Sequence, residues 1–346
     1  MYALSFIVVL GIVVFVHELG HFLAARLSGV GVHEFALGFG PKIWSVKRGE
    51  TVYSIRLLPL GGMCRLVGLD DEEGADRKAS ARNPKSFHGK PIWKRIFIVT
   101  AGPIMNFVLA VVILIVLFGA YGVPMASITE VFSDSPAQRA GFAAGDTILT
   151  VNGKPVAGVA GFVSAVSTSW DRPVEVEVLR GQTRVSITVV PEYDPDAQVG
   201  RIGVGLAERP VKGGVRGTAA EAVAYTIGVV DSTVSMLIAA LTGRAEADVS
   251  GPLGIAGMSA QAARAGIASL AMLIALISIS LGLVNLMPVP ILDGGWVLLL
   301  VLEGIKGSPL QPEFEGVLRF VGLALLVLLM VYATVSDISR MIVPRL

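Results

Sequence analysis

The sequence predicts a polytopic α-helical membrane protein. It has about four transmembrane helices, a membrane-associated β-hairpin and one inserted β-rich domain. Three observations carry this reading. The 346 residues are 53% hydrophobic and only 16% charged, where soluble domains carry roughly 25% charge. Four long stretches hold no charge, or nearly none. Between the second and third of them the apolar pattern changes from long runs to two-residue alternation. The mean hydropathy of +0.71 excludes a disordered chain. Lys plus Arg number 28 against 27 Asp plus Glu, so no basic excess exists to neutralise phosphates and no nucleic-acid partner is expected. The one cysteine, Cys64, excludes an internal disulfide framework and a Cys-rich metal site.

The elements follow in chain order. A spanning helix needs about 20 mostly apolar residues. Residues 2–16 carry no charge and the apolar pattern continues to Ala25. This stretch lacks the basic start and small-residue cleavage site of a signal peptide, so it reads as a span. Residues 35–67 read as a hairpin. Phe35 to Trp44 and Thr51 to Leu58 are strand-like, joined near Lys47-Arg48-Gly49-Glu50, with Gly38-Phe39-Gly40 and Pro59-Leu60-Gly61-Gly62 as interruptions. Residues 96–129 carry no charge, and the apolar part ends near Tyr121. Residues 265–292 and 320–336 complete the set, the last as a helix that could start near Glu315. Residues 28–95 hold 12 Lys or Arg, Arg77 and Lys78 among them, and 123–220 hold nine in a longer span. The denser loop is expected in the cytoplasm. That places the N-terminus, the inserted domain and the C-terminus outside.

Residues 126–193 read as a β domain. Val174, Val176 and Val178 alternate with Glu175 and Glu177, and Val185, Ile187 and Val189 repeat the pattern after Gly181. Ser135-Pro136-Ala137, then Ala140-Gly141, Gly145-Asp146 and Val151-Asn152-Gly153, resemble the core pattern of a PDZ domain of the bacterial protease type. Ser135 suits a helix cap with Pro136 in the first turn. Asn152-Gly153 suits a tight hairpin. A PDZ groove takes an extended peptide as an added strand. Over 220–242, Val223, Ile227, Val230, Val234, Leu237 and Ile238 fall near helical spacing around Glu221 and Asp231. The reading is an amphipathic helix on the outer membrane surface; the alternative is a fifth span with Asp231 facing protein. The expected division is 1–122 and 265–346 as two halves of a membrane core. The PDZ domain takes 123–207, and a linker with the surface helix takes 208–264.

The chemistry concentrates in His17-Glu18-Leu19-Gly20-His21. Positions i and i+4 share one helix face, so His17 and His21 can bind one Zn2+ ion. Glu18 can reach a water there as general base. Ionisable groups inside a span are costly and mark function. A catalytic zinc takes three protein ligands. His33 and His88 read as ordinary polar residues of the cytoplasmic loop. Asp293 is the better third candidate. It is the only ionisable side chain between Arg264 and Glu303, at the end of an apolar span, where an unpaired carboxylate is expensive. Its alternative is a plain helix cap.

The first motif together with Asn285-Leu286-Met287-Pro288-Val289-Pro290-Ile291-Leu292-Asp293-Gly294-Gly295 resembles the site-2 protease family of intramembrane zinc metalloproteases. The inserted PDZ pattern is similar to the bacterial branch of regulator-of-sigma-E proteases. Ala101-Gly102-Pro103 with Asn106, and Ser250-Gly251-Pro252, extend the likeness over nearly the whole chain. The resemblance implies His17, His21 and Asp293 as metal ligands and Glu18 as catalytic base. Asn285 matches a family asparagine that is a candidate for contact with substrate or the developing oxyanion. It further implies a β-structure dipping beside the zinc, whose edge can pair with an unwound substrate. Two departures stand out. The better-known members of the branch carry two PDZ domains, and this chain has room for one. Some carry a second asparagine where this chain has Ser280.

The expected function is hydrolysis of a peptide bond within or near the transmembrane segment of a single-span membrane protein, such as an anti-sigma factor. The expected location is the bacterial inner membrane, with the active site toward the cytoplasm. A catalytically idle membrane PDZ scaffold is the alternative; loss of Glu18 or Asp293 would have favoured it. A zincin acting on soluble peptides would place its ligands outside the spans. A transporter would be expected to show a repeat among its spans.

Overall fold

A computed structural model describes residues 2–69, 82–195, 199–212, 217–242, 251–308 and 310–342. Arg77, Lys78 and Ser250 lie outside these residues. In chain order the elements begin with α1 (Tyr2–Ser28), β1 (Val32–Arg48), β2 (Thr51–Leu66) and α2 (Ile92–Tyr121). There follow β3 (Val123–Val131), α3 (Pro136–Ala140), β4 (Thr147–Val151), β5 (Lys154–Pro155) and α4 (Gly158–Ser167). Next come β6 (Val174–Arg180), β7 (Thr183–Val189), β8 (Glu192–Asp194), β9 (Val199–Arg201) and β10 (Val204–Val211). The chain ends with α5 (Thr218–Leu241), α6 (Pro252–Ala265), α7 (Ile267–Asn285), α8 (Asp293–Lys306) and α9 (Pro312–Ile342). It divides into two compact units, one of Met1–Leu109 with Val249–Leu346, the other Ala110–Asp248.

Among the described residues five helices are long and apolar enough to cross a membrane: Leu4–Ser28, Ile92–Tyr121, Thr218–Ala239, Ile267–Asn285 and Glu315–Ser339. That is one more than anticipated, because α5 also qualifies by length and composition. In the first unit α1 and α2 run antiparallel at close range. A Cβ on Gly20 would lie 2.3 Å from the Ala101 carbonyl oxygen, so only glycine lets the two backbones approach this closely. Helix α7 lies antiparallel to α2. Ser278 Oγ donates to the Asn106 carbonyl at 2.8 Å, and a Cβ on Gly282 would lie 3.1 Å from Pro103 O.

The hairpin is more folded than the sequence pattern suggests. Residues 32–37 pair with 62–66, from Val32 with Leu66 to Leu37 with Gly62. The same stretch also pairs on its other side, Glu34 with Val52 through Leu37 with Ile55. Residues 42–48 then pair with 51–56. The strands bend at Gly38 and Gly40, with φ of 92° and 83°, and at Gly61, with φ of 121°. Such angles suit glycine, and the bends double the hairpin back on itself. The buried Glu34 carboxylate ties the layers together by accepting from Ser54 Oγ at 2.6 Å and Arg56 Nη2 at 2.9 Å.

The second unit is a sheet in the order β10-β3-β4-β6-β7, with β5 on β4. Val174, Val176 and Val178 are fully buried, as their alternation requires. Ser135 caps α3 by accepting from the Gln138 amide, Pro136 fills the first turn, and Gly141 closes it in the left-handed conformation. Asn152 and Gly153 turn the β4–β5 hairpin at φ of 50° and 74°. Phe162 of α4 and Phe142 fill the core. Burial would raise the Asp146 carboxyl. Two bonds of 2.8 Å from Arg180 and one of 2.9 Å from the Ala143 amide outweigh that and hold it below the ordinary range.

Candidate metal centre

His17 and His21 stand one turn apart on α1, and Asp293 is the first residue of α8. The structure brings the three together although 272 positions separate His21 from Asp293. His17 Nε2 lies 3.2 Å from Asp293 Oδ2, His21 Nε2 lies 3.5 Å from it, and the two Nε2 atoms are 3.2 Å apart. One ligand atom from each residue therefore converges on a common point. Zinc bonds of about 2.0–2.1 Å in a tetrahedron imply ligand-to-ligand edges of about 3.3 Å. The observed triangle has that size. Asp293 Oδ2 is buried and takes no well-formed hydrogen bond. A buried carboxylate oxygen without a partner is costly, and a divalent cation removes that cost. The donor set of two imidazoles and one carboxylate fits zinc.

The remaining imidazole nitrogens face outward from this point. His21 Nδ1 lies 2.9 Å from the Ile98 carbonyl oxygen, and His17 Nδ1 lies 3.2 Å from Asn106 Nδ2. Glu18 follows His17 and turns toward β2, where the Cys64 amide donates to its carboxylate. A Cβ on Gly62 would lie 2.8 Å from Glu18 Cγ. The bare backbone of the 61–66 edge thus reaches Glu18 because residue 62 has no side chain.

Glycines shape the rest of the centre. A Cβ on Gly102 would lie 2.3 Å from His21 Nε2 and 2.9 Å from His17 Cε1. Cβ atoms on Gly294 and Gly295 would each lie 2.3 Å from a carbonyl oxygen of the 286–289 turn. That turn carries a strained residue. Ile291 has φ of 114°, which a β-branched side chain rarely adopts and which costs of order 1–3 kcal/mol. Gly322 of α9 packs directly on Pro290 and holds the turn from behind. Asp293 opens a helix, as its alternative reading supposed. Its carboxylate nevertheless turns back to the histidines, and Leu292 occupies the cap position.

The other named residues fall outside the cluster. Asn285 ends α7 half-buried, and among the described residues no hydrogen bond ties its side chain to Glu18 or to the three donors. His33 is exposed on β1. His88 sits edge-on to Phe87 with ring centroids 5.7 Å apart. Ser280 lies in the second half of α7, and the serine that meets α2 is Ser278. The sequence pattern marks Gly62 only as part of a strand interruption and passes over Gly322, because a glycine in an apolar segment carries no signal of what it approaches.

The sequence model of peptidase family M50 matches residues 5–329. The regulator of sigma-W protease RasP of Bacillus subtilis (strain 168) is 34% identical over 414 aligned residues, covering 98% of this chain and 98% of that protein. A putative zinc metalloprotease of Clostridium acetobutylicum is 35% identical over 337 residues, 96% of each chain. Another, of Rhizobium meliloti, is 34% identical over 358 residues, 97% of this chain and 96% of the other. With a match over most of its length and relatives above 30% identity end to end, the chain belongs to peptidase family M50.

Proposed function

We propose that this protein is an intramembrane zinc metalloprotease that hydrolyses a peptide bond within or near the transmembrane segment of a membrane-anchored substrate. The observation that carries the reading is the triangle of His17, His21 and Asp293 donors with Glu18 beside it, in which α1, carrying His17, Glu18 and His21, is long and apolar enough to span a bilayer and Asp293 opens the shorter α8. His17, His21 and Asp293 hold the metal. When bound, zinc supplies Lewis-acid chemistry, polarising the scissile carbonyl and acidifying water. Glu18 takes the proton of the attacking water as the new C–O bond forms. It delivers that proton to the amine nitrogen as the C–N bond breaks. Asn285, at the end of α7, is assigned to the developing oxyanion or the substrate backbone. The 61–66 edge of β2 lies against Glu18, so an unwound substrate added there as a strand would present its carbonyl to the site. Phe39, Ile43, Trp44, Leu57 and Leu58 are exposed on this sheet, which suits a structure dipping into the membrane and wrapped by protein and lipid.

The name of the Bacillus relative, a regulator of sigma-W protease, supports an anti-sigma factor or similar single-span protein as substrate. The inserted unit is read as one PDZ domain over 123–207. Its groove would accept a peptide strand or its bulk would screen large ectodomains.

Helix direction supports four spans. Contacts of His21 with Ile98 and of His17 with Asn106 make α1 antiparallel to α2. The contact of Ser278 with Asn106 joins α7 to α2, and that of Gly282 with Pro103 makes α7 antiparallel to α2. Helix α7 therefore runs parallel to α1, and the chain between α2 and α7 crosses the membrane an even number of times. Among the described residues of that interval only α5 is long and apolar enough; the 14 residues of α6 reach about 21 Å, short of the roughly 30 Å core. This parity supports the reading of α5 as a surface helix, with four helices spanning. In this reading the basic 28–95 loop is cytoplasmic, the inserted unit is on the outer face of the bacterial inner membrane, and the metal centre is toward the cytoplasmic side.

The test is cleavage of a single-span protein substrate co-reconstituted with the enzyme in liposomes, with the cut mapped by mass spectrometry. The expected cut lies within the span or at its border. Cleavage only in segments far from the bilayer, or equal cleavage of soluble peptides, would contradict the reading.

A further inference from the structure

Asn106 lies on α2 and is fully buried. Its amide is 3.2 Å from His17 Nδ1. Its backbone carbonyl accepts from the buried Ser278 Oγ at 2.8 Å, so α7 fixes this turn of α2.

A neutral imidazole carries one N–H, and the nitrogen without it is the one that can ligate. His17 Nε2 faces both Asp293 Oδ2 and His21 Nε2 at 3.2 Å, so Nε2 is the ligating atom and Nδ1 carries the proton. That proton needs an acceptor. His21 has one in the Ile98 carbonyl, 2.9 Å from its Nδ1. At His17 the corresponding group is the Asn106 amide. With Nδ2 toward Nδ1, two nitrogens meet and the ring proton is forced onto Nε2, where the ligand electron pair must be. A half-turn of the amide exchanges Oδ1 and Nδ2 without changing its shape. Oδ1 has no hydrogen-bond partner where it stands, so the half-turn breaks no existing bond of that oxygen. The Asn106 oxygen then accepts from His17 Nδ1–H. Ligating histidines are characteristically held in this way by a second group, and losing that group costs about 10- to 100-fold in metal affinity.

We infer that Asn106 is a positioning residue of the metal centre, whose amide oxygen accepts the Nδ1–H of His17 and so fixes the tautomer that ligates through Nε2. The inference rests on the assignment of His17 as a metal ligand. The experiment is zinc affinity of the purified full-length protein, by chelator competition, for wild type, Asn106→Leu, Asn106→Asp and His17→Ala. Asn106→Leu keeps the volume and removes the acceptor, and is expected to weaken zinc by about 10- to 100-fold. Asn106→Asp keeps the acceptor and is expected to stay within a few-fold of wild type. Should Asn106→Leu fail to fold, Asn106→Asp decides: a loss as large as that of His17→Ala overturns the inference. Wild-type affinity in Asn106→Leu, with zinc lost in His17→Ala, also overturns it. Wild-type affinity in His17→Ala would instead overturn the metal-site assignment on which the inference stands.

Discussion

A methyl group on Gly102 would lie 2.3 Å from His21 Nε2, closer than any non-bonded carbon and nitrogen can sit. The Gly102→Ala protein must move α2 away from α1 or rotate an imidazole. Forced overpacking costs about 1–3 kcal/mol, and here the cost falls on the geometry of the proposed metal ligands. Zinc affinity is expected to fall about five- to 150-fold, read by chelator competition; unchanged affinity would mean that the helices yield freely. At this scale much of the candidate centre is legible in the sequence. His17, Glu18 and His21 declare themselves through helical spacing, and Asp293 through the cost of a lone acid at the end of an apolar span. Gly102 and Asn106 could be quoted as part of a family pattern, but their tasks were hidden. A glycine reveals what it approaches only when two distant segments are brought together. An asparagine in an apolar helix shows its partner only in three dimensions.

Helix α8 carries Asp293 at one end and Glu303 near the other. Arg95 of α2 grips Glu303 with two bonds, Nη1 to Oε2 at 3.0 Å and Nη2 to Oε1 at 2.6 Å, and both side chains are largely buried. The pair sits three residues before Ile98, whose carbonyl faces His21. It thus joins the element that supplies Asp293 to the element that orients His21. Removing one partner leaves the other as an uncompensated buried charge. Glu303→Gln is therefore expected to destabilise the protein by about 3–5 kcal/mol, measured by thermal or denaturant unfolding in detergent. A loss below about 1 kcal/mol would place the pair in the class of surface ion pairs. At the level of elements the sequence is a partial guide. Long apolar runs mark α1, α2, α7 and α9, and alternation marks β6 and β7. The doubled register of β1 and β2 depends on bends at Gly38, Gly40 and Gly61, and no local pattern states which stretches will pair. Helix α6 carries no such mark because it is short and begins at Pro252 inside a motif, and the equally short α8 shows only through the capping alternative for Asp293.

For the molecule as a whole, the disposition of α5 decides the number of membrane crossings. Its buried face includes Ala222, Ala224 and Gly228, where a Cβ would lie 3.0 Å from the Pro155 carbonyl oxygen. Val223, Ile227, Val234 and Ile238 are exposed along the helix. One face is thus committed to the β-sheet unit and the other is apolar and open, as in a helix lying at an interface. Single cysteines placed at Gly217 and Thr242 in a Cys64→Ser background are expected to react with an impermeant maleimide from the same side of oriented vesicles. Labelling from opposite sides would make α5 a fifth span. The sequence offered both readings of 220–242. Composition alone cannot separate them, because a surface helix packed on a domain can be as apolar as a span.

The central claim is that His17, His21 and Asp293 hold zinc while Glu18 moves the proton. Its most direct test pairs metal content with cleavage of a single-span substrate, in wild type and Glu18→Gln. The prediction is about one zinc per chain in both proteins, with cleavage in Glu18→Gln reduced about 10²- to 10⁴-fold. Full cleavage by Glu18→Gln, or cleavage by wild type stripped of its metal, would contradict the account.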